Sequence, residues 1–425
     1  MELGADTAAR PVYRLQGNLG ILAEKIRPEV KLDLRKKLKL LGRGWKDEPP
    51  TEVLGYYDDG EYFWVPRFYF PDATIGHTMG KNPIQLEWTS GKPCQLSIDP
   101  SIVLDEKRGQ PKAVAEMEAH IRRFSGGIMI APTGFGKTMV SYAVARRFNT
   151  SIGVLVYNGH MLKHWVATAH KFFGLTEDQV GIVQSDKCQL GRPVTVMMIE
   201  SLLAREYPKE LYEQIGFIIA DEVHRYGAPY WNAVMRLLPT RYRLGVSADP
   251  TRMDGLEPLI GWHFGRVGHV ALATSTAKPD VVQLLVRKSN YAITLYSDWD
   301  GTANNGQGEW VPDPIRYDRV LAHDKERNKV ITSELVKARK SGRRILVFAR
   351  TLKHLNRMRI DFEKAFKASV LDLMVDETVP VQHVPAVLET KVTMLVGGLS
   401  PSKLADAMTG DVMFTTSMFA REALD

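Results

Sequence analysis

A glycine-rich turn in this chain joins an apolar run to a lysine and a threonine. Residues 127–131 are apolar and predict a buried strand, and the apolar residues after Thr138 recur with the period of a helix. Such a turn aims backbone N–H groups, and the positive end of a helix dipole, at phosphate oxygens. Lys137 would neutralise phosphate charge, and the Thr138 hydroxyl would ligate Mg²⁺. We interpret the stretch as a P-loop that binds ATP, although Ala131 replaces its usual first glycine. The turn comprises Pro132, Thr133, Gly134, Phe135 and Gly136.

Two neighbouring carboxylates end a second apolar run. Asp221 and Glu222 directly follow Phe217–Ala220. Carboxylates at the carboxyl end of a parallel strand lie where open α/β sheets bind ligands. Asp221 would hold the Mg²⁺, usually through water, and Glu222 would polarise the attacking water. A solvated loop with ordinary acids is the alternative, but it does not explain the four apolar residues before the pair. We therefore predict a hydrolytic site built from Lys137, Asp221 and Glu222.

Two polar residues upstream of the P-loop are candidates for reading the adenine ring. Arg108 and Gln110 precede a predicted helix over residues 113–124. Their side chains could bond the adenine edge, but an ordinary helix N-terminus would have the same composition.

The elements that position these residues alternate between strand and helix. Strands are predicted at 127–131, 152–157, 194–199, 217–220 and 242–247, with helical patterns between them. This is the doubly wound α/β pattern, in which loops after the strands share one edge. Lys163 and Ser201 follow two of the strands and could contact a nucleic-acid backbone. Trp165 is predicted to be a core residue, and His164 and His170 are predicted to be ordinary polar residues.

A second α/β pattern begins near residue 326. Helices are predicted over 326–340 and 352–366, and strands over 344–348, 393–397 and 412–415. Residues 276–325 are turn-rich and predict a connector. We expect four parts: an accessory domain (1–100), a first α/β domain (101–275), the connector, and an incomplete second α/β domain (326–425).

The first 100 residues differ in composition from the rest. Residues 31–43 form a basic amphipathic segment that predicts a helix, and residues 56–65 predict a hairpin that Pro66 and Arg67 terminate. Cations and aromatic rings together favour an accessory nucleic-acid-binding domain. A small α+β domain with a solvated charged face and an aromatic core fits the same residues.

The composition excludes several other classes of protein. Lys and Arg number 56 against 49 Asp and Glu, and this net charge of +7 suits a polyanionic partner. Cys94 and Cys188 are the only cysteines, so the sequence contains neither a disulfide framework nor a cysteine-rich zinc site. We find no transmembrane run or signal-peptide pattern. We expect a cytoplasmic protein (in the host cytoplasm if a phage encodes it) with no membrane partner.

These stretches together resemble the motifs of superfamily 2 helicases, in the family's order, over residues 108–425. Gln110 falls where the Q motif lies, 131–138 is similar to motif I, and Asp221-Glu222-Val223-His224 looks like a DEAH-variant motif II. The other similarities are motif Ia at 154–165, motif Ib at 196–203, motif III at 243–255, motif IV at 345–351 and the start of motif V at 416–425. The motif III block and the Val-Pro-Arg hairpin resemble the XPB and UvsW-type branch, which includes phage recombination helicases.

This resemblance implies a fold and a set of roles. It implies tandem RecA-like doubly wound parallel sheets that form two lobes. ATP would bind between the lobes, which would then close around it. Duplex, forked or branched DNA would lie across both lobes. Thr351 and Thr416 would contact nucleic acid, and Asp425 would contact the nucleotide. Ser247, Asp249 and Arg252 would couple hydrolysis to strand movement.

The sequence departs from the family pattern at three points. Asp249 replaces the usual motif III threonine, Ala423 replaces a motif V glycine, and motif VI with its arginine fingers is absent. Loss of such an arginine costs roughly 10³–10⁵ in related phosphoryl transfers, so we expect this chain alone to hydrolyse ATP weakly.

The leading hypothesis is an ATP-dependent DNA helicase or translocase in recombination, repair or replication. The alternatives are a nucleotide-gated DNA-binding module with little ATPase activity and, ranked lower, an RNA helicase.

Overall fold

The computed structural model describes residues 10–42, 51–224, 233–249, 255–271, 302–304, 310–312, 321–375, 390–417 and 419. The chain forms two compact units, Met1–Lys278 and Pro279–Asp425. The division into four parts that the sequence suggests stays a prediction.

A small sheet opens the first unit. Its strands are β1 (Tyr13–Leu15), β2 (Asn18–Leu22), β5 (Tyr57–Asp58), β6 (Tyr62–Pro66) and β9 (Gln85–Leu86), in the order β5-β6-β2-β1-β9. Two antiparallel pairs lie outside it, β3 (Lys39–Gly42) with β4 (Thr51–Leu54) and β7 (Thr78–Met79) with β8 (Asn82–Pro83). The helices here are α1 (Pro28–Lys37) and α2 (Pro71–Gly76), each with proline in its first turn, where the missing N–H costs nothing.

The predicted hairpin is confirmed, because β5 pairs antiparallel with β6 and Arg67 follows the second strand. Three of its aromatic side chains, Tyr62, Phe63 and Trp64, are buried, whereas Tyr56 and Tyr57 are half-buried. Buried rings cannot stack on bases, so these residues support the interpretation as an aromatic core.

The predicted helix over residues 31–43 is wrong in its second half. Helix α1 ends at Lys37, and the chain continues as β3, which pairs with β4. Leu40 and Val53 from this pair pack with Leu256 and Leu259 of a distant segment. Tertiary packing therefore overrides the local helical pattern, a contact that sequence periodicity does not report.

The central sheet of the first unit has eight strands. They are β10 (Gly126–Ile130), β11 (Ile152–Val156), β12 (Val180–Gln184), β13 (Lys187–Cys188), β14 (Val194–Met198), β15 (Phe217–Asp221), β16 (Tyr242–Ser247) and β17 (Val267–Val270). Their order is β13-β12-β14-β11-β15-β16-β10-β17, and every pairing is parallel except that of β13 with β12. All five strands predicted for this region are confirmed to within one residue at each end.

Helices cover both faces of this sheet. They are α3 (Gln110–Phe124), α4 (Lys137–Ala145), α5 (Gly159–Phe173), α6 (Ile199–Ala204), α7 (Lys209–Glu213), α8 (Val234–Leu237) and α9 (Pro258–Phe264). Strand β15 shows why two layers are needed. Phe217 and Ile219 pack among α3, α4 and α5, whereas Ile218 and Ala220 pack against α6, α8 and α9. Alternate side chains of a buried strand face opposite layers, so both must be apolar. The doubly wound α/β fold class is confirmed.

The second unit contains a smaller parallel sheet. Its strands are β20 (Ile345–Ala349), β21 (Val392–Leu395) and β22 (Val412–Thr416), in the order β20-β22-β21, and a separate antiparallel pair is β18 (Thr302–Asn304) with β19 (Trp310–Pro312). Its helices are α10 (Lys325–Lys340), α11 (Leu352–Val375) and α12 (Pro401–Ala407). Val347 of β20 and Phe414 of β22 share a core with Phe362 of α11. The predicted elements of this region are present, although α11 extends nine residues beyond the predicted end.

The length of α11 does not make it a membrane segment, since it carries charged residues throughout. None of the helices in the described parts of the chain combines the length and apolar character needed to cross a bilayer.

Candidate functional site

The three strands that carry the predicted hydrolytic motifs are neighbours. Strand β16 lies between β15 and β10, with Asp221 opposite Val246 and Ile130 opposite Ser247. The amide of Ala131 donates to the Ser247 carbonyl at 3.0 Å. Because the strands are parallel, the P-loop, the two acids and Ser247 lie at one edge of the sheet. This edge is where open α/β sheets bind ligands.

The P-loop forms a tight turn that leads directly into α4. The Phe135 amide donates to the Pro132 carbonyl at 3.2 Å, and Gly134 and Gly136 have φ of 79° and 89°. That left-handed conformation favours glycine. A Cβ at Gly136 would also lie 2.6 Å from Nε2 of Gln110, so a larger residue there would displace the Gln110 amide from its present position. The turn places Lys137 as the first residue of α4.

Arg108 and Gln110 contact the P-loop. The guanidinium of Arg108 donates to the Gly134 carbonyl, and the Gln110 amide donates to the Phe135 carbonyl at 2.6 Å. The Gln110 oxygen accepts from the Asp105 amide at 2.8 Å. Gln110 is buried, and both ends of its side-chain amide bond to backbone groups. Its side chain therefore holds the loop in place. Its predicted contact with adenine stays a prediction.

Asp221 is held by a tryptophan from a different motif. Its side chain is buried, and its Oδ2 accepts from the indole Nε1 of Trp165 on α5 at 2.7 Å. Burial raises the pKa of Asp221 to about 6, and the Trp165 hydrogen bond opposes that rise. Among the described residues, Asp221 has no salt-bridge partner. A buried carboxylate oriented in this way fits a site for a cation.

Trp165 is itself fixed in place. It is fully buried, its carbonyl accepts from the Tyr142 hydroxyl at 3.0 Å, and the two rings meet edge to face at 5.1 Å. The prediction of a core residue is confirmed but incomplete. A buried indole N–H needs an acceptor, which was the sequence signal for this second role.

Glu222 adopts a backbone conformation that is uncommon outside glycine, with φ of 49°. Its Oε2 lies 3.2 Å from Nδ1 of His224, which lies 3.1 Å from the Ser247 hydroxyl. That hydroxyl donates to the Asp249 carbonyl at 2.9 Å. The acid of motif II is thus connected to motif III through His224, a link that the sequence analysis did not predict.

The donor set around the P-loop fits Mg²⁺ shared with a nucleotide. Thr138 supplies a hydroxyl, whose Oγ1 lies 3.3 Å from Nε2 of His164, and Asp221 supplies a carboxylate. In the part of the chain that the structure describes, no three His, Cys, Asp or Glu side chains group to hold a metal. Mg²⁺ typically takes one or two protein ligands and completes its shell with phosphates and water.

The predicted nucleic-acid contacts differ in accessibility. Lys163 is exposed on α5, whereas Ser201 is buried and its hydroxyl accepts from the Ser185 amide at 3.0 Å. Ser201 is therefore poorly placed to reach a phosphate. In the second unit, Thr351 caps α11 and Thr416 ends β22, next to Ala349 of β20, so both lie at the carboxyl edge of that sheet. The remaining predicted site residues, Arg252 and Asp425, lie outside the described residues.

Comparison with known proteins agrees with this geometry. Residues 104–252 match the family described as the type III restriction enzyme res subunit. A protein of Acanthamoeba polyphaga mimivirus carries the provisional name ATP-dependent RNA helicase. It is 26% identical over 308 residues, which cover 71% of this chain and 55% of that protein. A protein of Escherichia phage T5 carries the provisional name helicase D10. It is 24% identical, and the match covers 68% of this chain and 62% of that protein.

A third relative belongs to the predicted branch. The DNA 3'-5' helicase XPB of Kineococcus radiotolerans is 32% identical over 137 residues, covering 31% of this chain and 24% of that protein. The chain therefore spans less than two thirds of the length of each of these relatives. Over the matched residues, this chain is similar to proteins named as helicases, one of which is an XPB helicase.

Proposed function

We propose that this chain hydrolyses ATP and couples hydrolysis to movement along duplex, forked or branched DNA. The observation that carries the proposal is the placement of the P-loop, Asp221 and Glu222 at one edge of one sheet. Lys137 and the loop amides would hold the phosphates, and Thr138 and Asp221 would hold Mg²⁺. Glu222 would take a proton from the attacking water. The name of the XPB relative favours DNA, whereas the name of the mimivirus relative favours RNA.

Phosphate release in the presence of different nucleic acids tests this proposal. We expect forked or duplex DNA to stimulate release of phosphate from ATP more than RNA of matched length does. Stimulation by RNA alone would support the RNA helicase alternative. Failure of every nucleic acid to stimulate release, combined with nucleotide-dependent DNA affinity, would support the nucleotide-gated binding module.

Lys137→Ala tests the P-loop. Removing a charge-assisted contact costs about 1.5–3 kcal/mol, so ATP affinity should fall by about 10- to 150-fold. Titration with a fluorescent ATP analogue measures the change. Lys171→Ala removes an exposed lysine of α5 and serves as the matched control. Equal affinities for the wild type and Lys137→Ala would remove Lys137 from the site.

Trp165→Phe tests whether the indole positions Asp221. Phenylalanine fills most of the space but lacks the N–H donor, so the Mg²⁺ concentration for half-maximal hydrolysis should rise about tenfold or more. ATP affinity measured without Mg²⁺ should not change, because Trp165 bonds Asp221 rather than the P-loop. Tyr62→Phe, which removes a buried hydroxyl bonded to the Pro11 carbonyl in the small N-terminal sheet, is the control and should leave the Mg²⁺ requirement unchanged. An unchanged Mg²⁺ requirement in Trp165→Phe would show that the indole is only a packing group.

A further inference from the structure

A groove runs between the two long helices of the second unit, α10 and α11. Its volume is about 1410 Å³. Its walls are two helical stripes: Lys325, Lys329, Lys337 and Lys340 recur on one face of α10, and Lys353 and Lys364 lie on the facing stripe of α11. Residues three, four, seven and eight apart share a helix face, so these ammonium groups point toward the same space.

The charge of this groove is strongly one-sided. Six lysines and Arg357 line it against a single acid, Asp361, which pairs with Arg357 at 2.9 Å. Lys329 and Lys337 pair with glutamates of their own helix. The other four lysines, Lys325, Lys340, Lys353 and Lys364, make no ion pair with any described residue. Cations that have no acidic partner and are concentrated in one groove create a positive potential, and this potential attracts polyanions.

Two polar side chains lie in the floor of the groove, although most of its exposed lining is apolar. Asn328 and Thr332 are buried there, and Oδ1 of Asn328 lies 3.1 Å from Nε2 of His354. A docked amphipathic protein helix would need a continuous apolar floor, but the larger apolar residues here are only Val336 and Ile360. The lining also contains no Phe, Tyr or Trp ring on which a base could stack. The lysines and these polar groups suit a sugar-phosphate backbone, and the described lining lacks the aromatic rings on which bases would stack.

The dimensions of the groove suit several phosphates. Lys325 and Lys340 are 15 residues apart on α10, which is about 22 Å along a helix, and the span from Lys353 to Lys364 is about 16 Å. One strand of a duplex presents a phosphate about every 3.4 Å along the axis, so the shorter span matches roughly five phosphates. At one end the groove includes Thr351, which lies at the sheet edge where nucleic acid is predicted to bind.

We propose that the groove between α10 and α11 binds the phosphate backbone of a nucleic-acid strand without sequence preference. It extends the nucleic-acid path from the sheet edge along the helical face of the second unit. This inference rests on the proposed function, because it assigns a further binding surface for the same nucleic acid.

The test is the double variant Lys340→Gln/Lys364→Gln in the full chain, with both residues far from the predicted hydrolytic site in sequence. Binding of a labelled DNA duplex is measured at several salt concentrations. Loss of two phosphate contacts should reduce the slope of log affinity against log salt by about 1.8, equally for duplexes of unrelated sequence. Lys171→Gln/Lys403→Gln removes the same charge from exposed positions outside the groove and should leave the slope close to that of the wild type.

The possible outcomes separate this inference from the proposed function. If the wild type binds DNA and the groove variant has the slope of the control, the groove proposal is overturned while the proposed function stands. If the wild type binds no DNA or RNA, the proposed function fails as well. If the groove variant loses binding to polyglutamate but keeps its binding to DNA, the groove belongs to an acidic protein and our assignment is wrong. An unchanged far-ultraviolet circular dichroism spectrum and an unchanged thermal unfolding profile verify that the second unit of the variant is folded.

Discussion

Glu222→Gln is expected to retain ATP binding and to lose about 10²- to 10⁴-fold in the rate of phosphate release. The amide keeps the size and hydrogen-bonding reach of the carboxylate but cannot accept a proton from water. The substitution leaves residues 131–138, which would hold the phosphates, unaltered. Single-turnover phosphate release with saturating DNA measures the rate, and fluorescent-nucleotide titration measures the binding.

Glu200→Gln is the matched control for this experiment. Glu200 is an exposed carboxylate in the first turn of α6, at the same edge of the same sheet, and its loss should leave the rate within about twofold of the wild type. Equal rates for the wild type and Glu222→Gln would remove Glu222 from the mechanism. If the wild type and Glu222→Gln release phosphate equally slowly while ATP still alters DNA affinity, the nucleotide-gated DNA-binding module becomes the better interpretation.

Arg243→Met is expected to lower the free energy of unfolding of the first unit by about 3 kcal/mol. Arg243 is fully buried on β16, and its guanidinium donates to the carbonyls of Gly17, Leu238 and His263 at 2.6, 3.0 and 3.0 Å. Burial lowers the pKa of Arg243 to about 9, so it remains charged at neutral pH. Methionine would leave these carbonyls without their donor, at about 1–3 kcal/mol each, although release of a buried charge offsets part of that loss.

Urea unfolding followed by tryptophan fluorescence measures this effect. Arg243→Lys should give a smaller loss, since one ammonium keeps the charge but lacks the planar fork that reaches several carbonyls. Arg266→Met removes an exposed arginine and should change stability by less than about 0.5 kcal/mol. A comparably small change in Arg243→Met would show that the buried guanidinium contributes no net stability.

The structural reason for this sensitivity is that Arg243 connects two sheets. Gly17 lies in the turn between β1 and β2, and a Cβ there would meet the Leu238 carbonyl at 2.8 Å. A second buried arginine, Arg67, donates to the Arg241 carbonyl at 2.9 Å and to the carbonyl of Gln16. The two buried guanidinium groups therefore attach the small N-terminal sheet to the central sheet. They bond main-chain carbonyls that are within reach only because the two sheets lie close together.

Local patterns were sufficient to predict the elements that carry the proposed hydrolytic site. The P-loop turn before Lys137 and the apolar run before Asp221 each lie within about a dozen residues, so their strand and helix periods are visible in the sequence. The parallel sheet follows from the alternation of strands and helices. The end of α1 at Lys37 was not visible, because β3 is stabilised by pairing with β4 rather than by its own composition.

Sequence by itself determined which residue types stand at the carboxyl ends of the strands, since chain order and periodicity are local properties. Only the tertiary structure decided that Trp165 bonds Asp221, that Ser201 is buried, and that Arg243 reaches Gly17. Each of these depends on a contact between segments that are distant in the chain or belong to different layers. Side-chain direction and burial are set by such packing, and no pattern within one segment specifies them.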